Sequence, residues 1–145
     1  MNFDRLRPPG WLRWVGVVAV AGVIFYSSVI EPPSSGVPHT GPLGLFGFDK
    51  WLHVLAYGGL AGALATALAP GRGVGRAVVL AAALALAYGV GIEFAQAVVP
   101  TRAFSVGDIL ANVVGVTVGA VCWRTAFAVT QRLEAAQTAE TNAGR

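Results

Sequence analysis

Four apolar runs, each about long enough to cross a lipid bilayer, occupy most of this chain and constrain its fold more than any other feature. A hydrocarbon core of about 30 Å takes about 20 helical residues per crossing. The runs cover residues 11–30, 51–69, 77–99 and 108–129, separated by "EPPSSGVPHTGP", by "PGRGVGR" and by a short loop that opens at Pro100. Proline follows helix ends more readily than it continues them, so the third run closes there. Only 12% of the residues are charged and 55% are hydrophobic, whereas a soluble domain is about 25% charged. The expected fold is an all-α membrane protein, an up-and-down four-helix transmembrane bundle forming one domain over residues 1–130, with a polar tail at 131–145.

The first run follows Arg5, Arg7 and Arg13 and has the charge pattern of a signal peptide. It is longer than the usual apolar core of about 7–15 residues, and no A-x-A site follows it, so it is read as a retained span. Arg72 and Arg76 lie between runs two and three, and Arg124 and Arg132 near the end of run four, while the other two connections hold only Lys50 and Arg102. Positive residues mark the cytoplasmic side, which predicts both termini cytoplasmic and residues 31–50 and 100–107 outside. Trp11, Trp14 and Trp123 then fall near the inner interface and Trp51 near the outer one. The net charge of +3 is spread over these flanks. It forms no patch of the kind that binds nucleic acid. The single cysteine, Cys122, precludes an internal disulfide and reads as a small packed hydrophobe.

The polar residues of the runs converge on one end. Asp49, Lys50, His53 and Tyr57 open the second, Glu93 and Gln96 close the third, Arg102 lies in the short loop, and Asp108 and Asn112 open the fourth. At 100° per residue, Asp49, His53 and Tyr57 drift by only about 80° and share a face. Trp51, Gly58 and Gly62 lie roughly opposite, towards lipid or a neighbouring helix. Asp108, Asn112, Gly115 and Gly119 form a second stripe, and the small-xxx-small pair Gly115 and Gly119 should turn it into the bundle. Glu93 stands about 10 Å below Pro100 at 1.5 Å per residue, within the hydrocarbon zone. A charge there costs at least about 2.5 kcal/mol, so Glu93 needs a proton or a partner, with Arg102, Lys50 and His53 as the candidates.

In order and spacing, these residues resemble the VanZ-like family of small bacterial membrane proteins over residues 11 to about 125. The family elements are Asp-Lys-x-x-His-x-x-x-Tyr (Asp49, Lys50, His53, Tyr57), Glu-x-x-Gln (Glu93, Gln96), an Arg shortly after (Arg102), and Asp-x-x-x-Asn-x-x-Gly (Asp108, Asn112, Gly115). Thr101 stands where the family often has a glycine before the Arg. The resemblance implies a multi-pass protein of the bacterial cytoplasmic membrane. It also carries an association with low-level resistance to the glycopeptide teicoplanin, which acts outside that membrane on lipid-linked wall precursors.

Three functions fit this set. In the first, the cluster binds a lipid head group, a lipid-linked wall precursor or a lipophilic antibiotic. Lys50 and Arg102 would hold phosphate or carboxylate, Tyr57 and Trp51 the sugar or acyl boundary, and Asp49, Gln96 and Asn112 complete the ligand-binding set. In the second, an intramembrane hydrolase or transferase uses Glu93, Asp108 and His53 as acid-base groups, with Asn112 and Gln96 donating to developing charge. In the third, the residues are structural polar glue, each interhelical hydrogen bond contributing on the order of 1 kcal/mol. Transport is disfavoured, because runs three and four carry no polar path below Glu93 and Asn112. No H-x-x-x-H or comparable ligand pair is present, so neither a metal nor a cofactor is expected.

Overall fold

A computed structural model describes residues 8–30, 41–44, 47–100 and 102–144. Arg5, Arg7, most of the proline-rich loop with His39, and Thr101 lie outside the described residues. The described residues form four helices long and apolar enough to cross a membrane. They are α1 (Gly10–Phe25), continued by a π-helical turn at Tyr26–Ile30, α2 (Phe48–Leu68), α3 (Val74–Ala97) and α4 (Val106–Ala143). A 3-10 turn, Pro42–Gly44, precedes α2.

Local sequence accounts for the breaks. Gly71 and Gly73 adopt φ values of 77° and 75°. Side-chain-bearing residues rarely enter that region, so the reversal between α2 and α3 depends on these two glycines. α3 ends at Ala97, two residues short of the apolar run, and the chain turns through Val98 to Pro100. α4 begins at a Ser105 cap whose Oγ accepts the Asp108 amide at 3.2 Å. α4 then continues through the polar tail to Ala143 without a break. Ala, Gln, Glu and Thr dominate that tail, and the first three suit an exposed helix.

The bundle is inverted relative to a water-soluble one. Trp11, Val18, Leu55, Val79, Phe94, Leu110 and Val121 are each at least 60% exposed, while Glu93 and Asn112 are buried. A surface of this kind suits lipid, where hydrocarbon replaces water around the outer side chains. The most extensive contact is between α2 and α4. A β-carbon on Gly115 would lie 2.8 Å from the Val54 Cα, and one on Gly119 would lie 2.7 Å from the Gly58 Cα. Only glycine allows the two backbones to come this close, as the small-xxx-small spacing predicts. Gly58 therefore meets a neighbouring helix, whereas Gly62 has open space around its Cα.

α3 presents Ala77, Ala81, Ala85, Gly89, Ile92, Glu93 and Gln96 to the interior. α1 is held more loosely and leans on α2. Three side chains fasten its second half. Tyr88 donates to the Ala21 carbonyl at 2.7 Å, Gln96 to the Ser28 carbonyl at 2.9 Å, and Arg102 to the Ser27 carbonyl at 3.0 Å. The two serine carbonyls lie in the π-turn, where the regular i to i−4 ladder is interrupted and carbonyls become available to other donors. At the opposite end of the bundle, the Trp123 indole donates to the Thr66 hydroxyl at 2.9 Å and stacks on Phe127.

Candidate functional site

The up-and-down path of α2, α3 and α4 brings the start of α2, the end of α3 and the start of α4 to one level. Lys50 spans the outermost layer of that level. Its Nζ donates to Asp49 Oδ2 at 2.6 Å and to Asp108 Oδ1 across the α2 and α4 contact. Asp49 itself is largely exposed, whereas the Asp108 side chain is 15% exposed. One ammonium is thus shared by two carboxylates.

One turn further in, His53 stands between two groups of α4. Its Nδ1 lies 2.9 Å from Asn112 Oδ1, and its Nε2 lies 3.6 Å from Asp108 Oδ2. Asn112 is 2% exposed and the His53 side chain 15%. Below His53, the Tyr57 ring runs parallel to the imidazole with centroids 6.1 Å apart, and Tyr57 is 1% exposed. Tyr57 therefore lies in the interior of the bundle. Trp51 is half-buried on the same helix.

Glu93 enters from α3. It is fully buried, and its Oε2 accepts the backbone N–H of Ser105 at 2.8 Å. In a capping box the acid three residues after the cap takes that N–H. Here that acid, Asp108, is turned to Lys50, and Glu93 from another helix takes the cap amide instead. The Glu93 partner found in the structure is thus a backbone amide, while Lys50 goes to the aspartates. Gln96 sits at the edge of the cluster, joined to α1, and Arg102 lies at the rim, also joined to α1. Gly89, on the same face of α3 as Glu93, lets the opposite side chains in. A β-carbon there would meet Asn112 Nδ2 and Tyr57 Cε1, both at 2.9 Å.

All of the residues singled out by sequence fall in or beside one polar assembly, with Gly115 and Gly119 closing the helix contact beneath it. Two participants escaped the sequence reading. Ser105 joins α3 to α4, and its signal was present as Ser-x-x-Asp at the start of the fourth run. Tyr88 ties α3 to α1, and nothing local to Tyr88 marks that role. Among the described residues, no group of three or more His, Cys, Asp and Glu side chains is arranged to hold a metal ion.

Four helices long and apolar enough to cross a membrane, with a connected acid, base, imidazole and amide cluster at one end, define a small multi-pass membrane protein with a buried polar cluster. The family model described as VanZ/LLP1 matches residues 10–128, and the chain belongs to that family. No curated protein and no solved structure matches it.

Proposed function

We propose that this VanZ family protein acts in the bacterial envelope, with its polar cluster towards the outer face of the cytoplasmic membrane, where it binds the head of a lipid-linked envelope component. The observation that carries this reading is the burial of Glu93, Gln96 and Asn112, polar residues of two helices long and apolar enough to cross a membrane. Polar residues placed inside a membrane bundle are costly and generally mark a substrate or ion pathway. The positions of the arginines support the orientation, since Arg72, Arg76, Arg124 and Arg132 lie towards the other end. Binding of a wall precursor there would link the protein to tolerance of glycopeptides such as teicoplanin, which act on that component. Because Asp49 and Asp108 share the Lys50 ammonium, Lys50 serves to set the cluster's geometry more than to hold an anion.

A second reading, acid-base catalysis on the bound lipid, is favoured by one feature. His53 has a carboxylate at one ring nitrogen and an amide at the other, an arrangement that orients an imidazole for proton transfer.

The test is a strain lacking the gene, complemented with Glu93→Gln, Asp108→Asn, His53→Gln and Asn112→Leu and scored for teicoplanin and other envelope-antibiotic susceptibility alongside protein level. Binding requires Asn112→Leu to lose the phenotype at normal abundance. Loss by the three acid-base variants as well selects catalysis. A phenotype that simply tracks protein level in every variant would leave only a structural role.

A further inference from the structure

Four buried hydrogen-bonding atoms of the cluster have no partner among the described residues: the Tyr57 hydroxyl, Glu93 Oε1, Gln96 Oε1 and Asn112 Nδ2. Their residues are 1%, 0%, 4% and 2% exposed. They are spread along one face of α3, over about 10 Å from Gly89 to Gln96. Asn112 Nδ2 and the Tyr57 ring converge on the Gly89 position. Glu93 lies one turn along the same face of α3, and Gln96 three residues beyond it. The other polar atom of each amide is already used, Gln96 Nε2 on the Ser28 carbonyl and Asn112 Oδ1 on His53. The second carboxylate oxygen of Glu93 holds the Ser105 amide.

With Glu93 ionised and held by the Ser105 amide, what remains is two acceptors, one donor and one hydroxyl that does both. A phosphate offers acceptors only. It would leave Glu93 Oε1 and Gln96 Oε1 unmet and set its charge against a carboxylate, with the Lys50 ammonium already shared by Asp49 and Asp108. An ammonium head offers donors only and would leave Asn112 Nδ2 unmet. A hydroxyl donates and accepts without bringing a charge into the membrane. Resting on the binding role proposed above, we infer that these four atoms receive a neutral, hydroxyl-bearing group, a sugar ring or polyol head, carried on a lipid. The lipid brings the head to depth beside α1. There, Gln96 Oε1 can accept from the ligand while its Nε2 stays on the Ser28 carbonyl.

The full chain, purified in a polyoxyethylene detergent that carries no sugar, would be titrated with glucosyl-diacylglycerol, with phosphatidic acid of the same acyl chains and with free glucose. Binding is read by native mass spectrometry and by the shift in thermal unfolding. The glucosyl lipid should bind saturably and at least about tenfold more tightly than phosphatidic acid. Asn112→Leu and Gln96→Leu should each weaken it about tenfold, the loss of one well-made hydrogen bond. Arg76→Gln, exposed at the other end, should leave it unchanged. Glu93→Gln keeps the shape, leaves its one oxygen on the Ser105 amide and turns an NH2 to the ligand, whose hydroxyl can accept from it as readily as donate, so binding should be retained to within about threefold, the scale of a substitution that removes no hydrogen bond. That variant also covers the case in which the leucine variants do not fold, and its loss of binding would overturn the neutral head. Phosphatidic acid bound as tightly as the glucosyl lipid would overturn this inference and leave the lipid-binding role standing. Glucose bound as tightly as the lipid would overturn the lipid-borne part. Binding of neither lipid would overturn both.

Discussion

His53 on α2 and Asn112 on α4 meet at 2.9 Å across the most extensive helix contact of the bundle. Their side chains join the two helices in the same layer that holds Asp108. The single changes His53→Ala and Asn112→Ala should each destabilise the protein, and the double change should cost less than their sum by about 1 kcal/mol, the usual worth of an interhelical hydrogen bond in a membrane. A thermodynamic cycle measured by reversible unfolding in mixed micelles checks this, and strict additivity would mean that the two do not interact.

The glycines below that pair make a sharper prediction, because sign as well as size is at stake. Gly115→Ala places a β-carbon 2.8 Å from the Val54 Cα and should cost about 1–3 kcal/mol by forcing α2 and α4 apart. Gly62→Ala meets nothing within 4 Å and should be neutral or stabilising by up to about 1 kcal/mol through helix propensity. Thermal unfolding of the two variants side by side decides whether the contact is as close as described.

Lys50 sits between two carboxylates, so its removal leaves both without a cation. Lys50→Met should lower stability by about 1.5–3 kcal/mol, the range for hydrogen bonds to charged groups. Adding Asp108→Asn in that background should recover part of the loss, since one of the uncompensated charges is then gone. Membrane abundance and unfolding midpoint of the single and double variants report the recovery, and a double variant worse than Lys50→Met would contradict the shared ion pair.

Tyr88→Phe deletes one of the three bonds that fasten α1 to its neighbours while keeping the ring. Hydrogen exchange of the backbone around residues 21–30 should rise, with α4 unaffected, and global stability should fall by about 0.5–1.5 kcal/mol. Unchanged exchange in that stretch would show that the Tyr88 bond does not hold α1.

The helices, their order and the small-residue contact were legible in the chain because each rests on local chemistry. About 20 apolar residues suffice for a crossing, glycine and proline mark the breaks, and glycines four apart on one face permit close approach. The gathering of Asp49, Lys50, His53, Glu93, Asp108 and Asn112 at one level was legible too, since alternating helix direction puts the end of one span beside the start of the next. The extent of α4 was less so. Hydropathy ends at about residue 129, yet the polar tail continues the helix to Ala143, because backbone hydrogen bonding needs no apolar face.

Which side chain meets which was decided by tertiary structure alone. Sequence left Glu93 a choice of Arg102, Lys50 or His53, and the folded chain gives it the Ser105 amide, because α3 ends beside the cap of α4 and Lys50 is drawn to two nearer carboxylates. The Ser105 cap needed an acceptor for its N–H, and the local candidate, Asp108, was turned away by a charge 58 residues distant. The residue types and their depth follow from periodicity along a single helix. Their pairing depends on distances between helices, and those are set by how closely Gly115 and Gly119 let α4 approach α2.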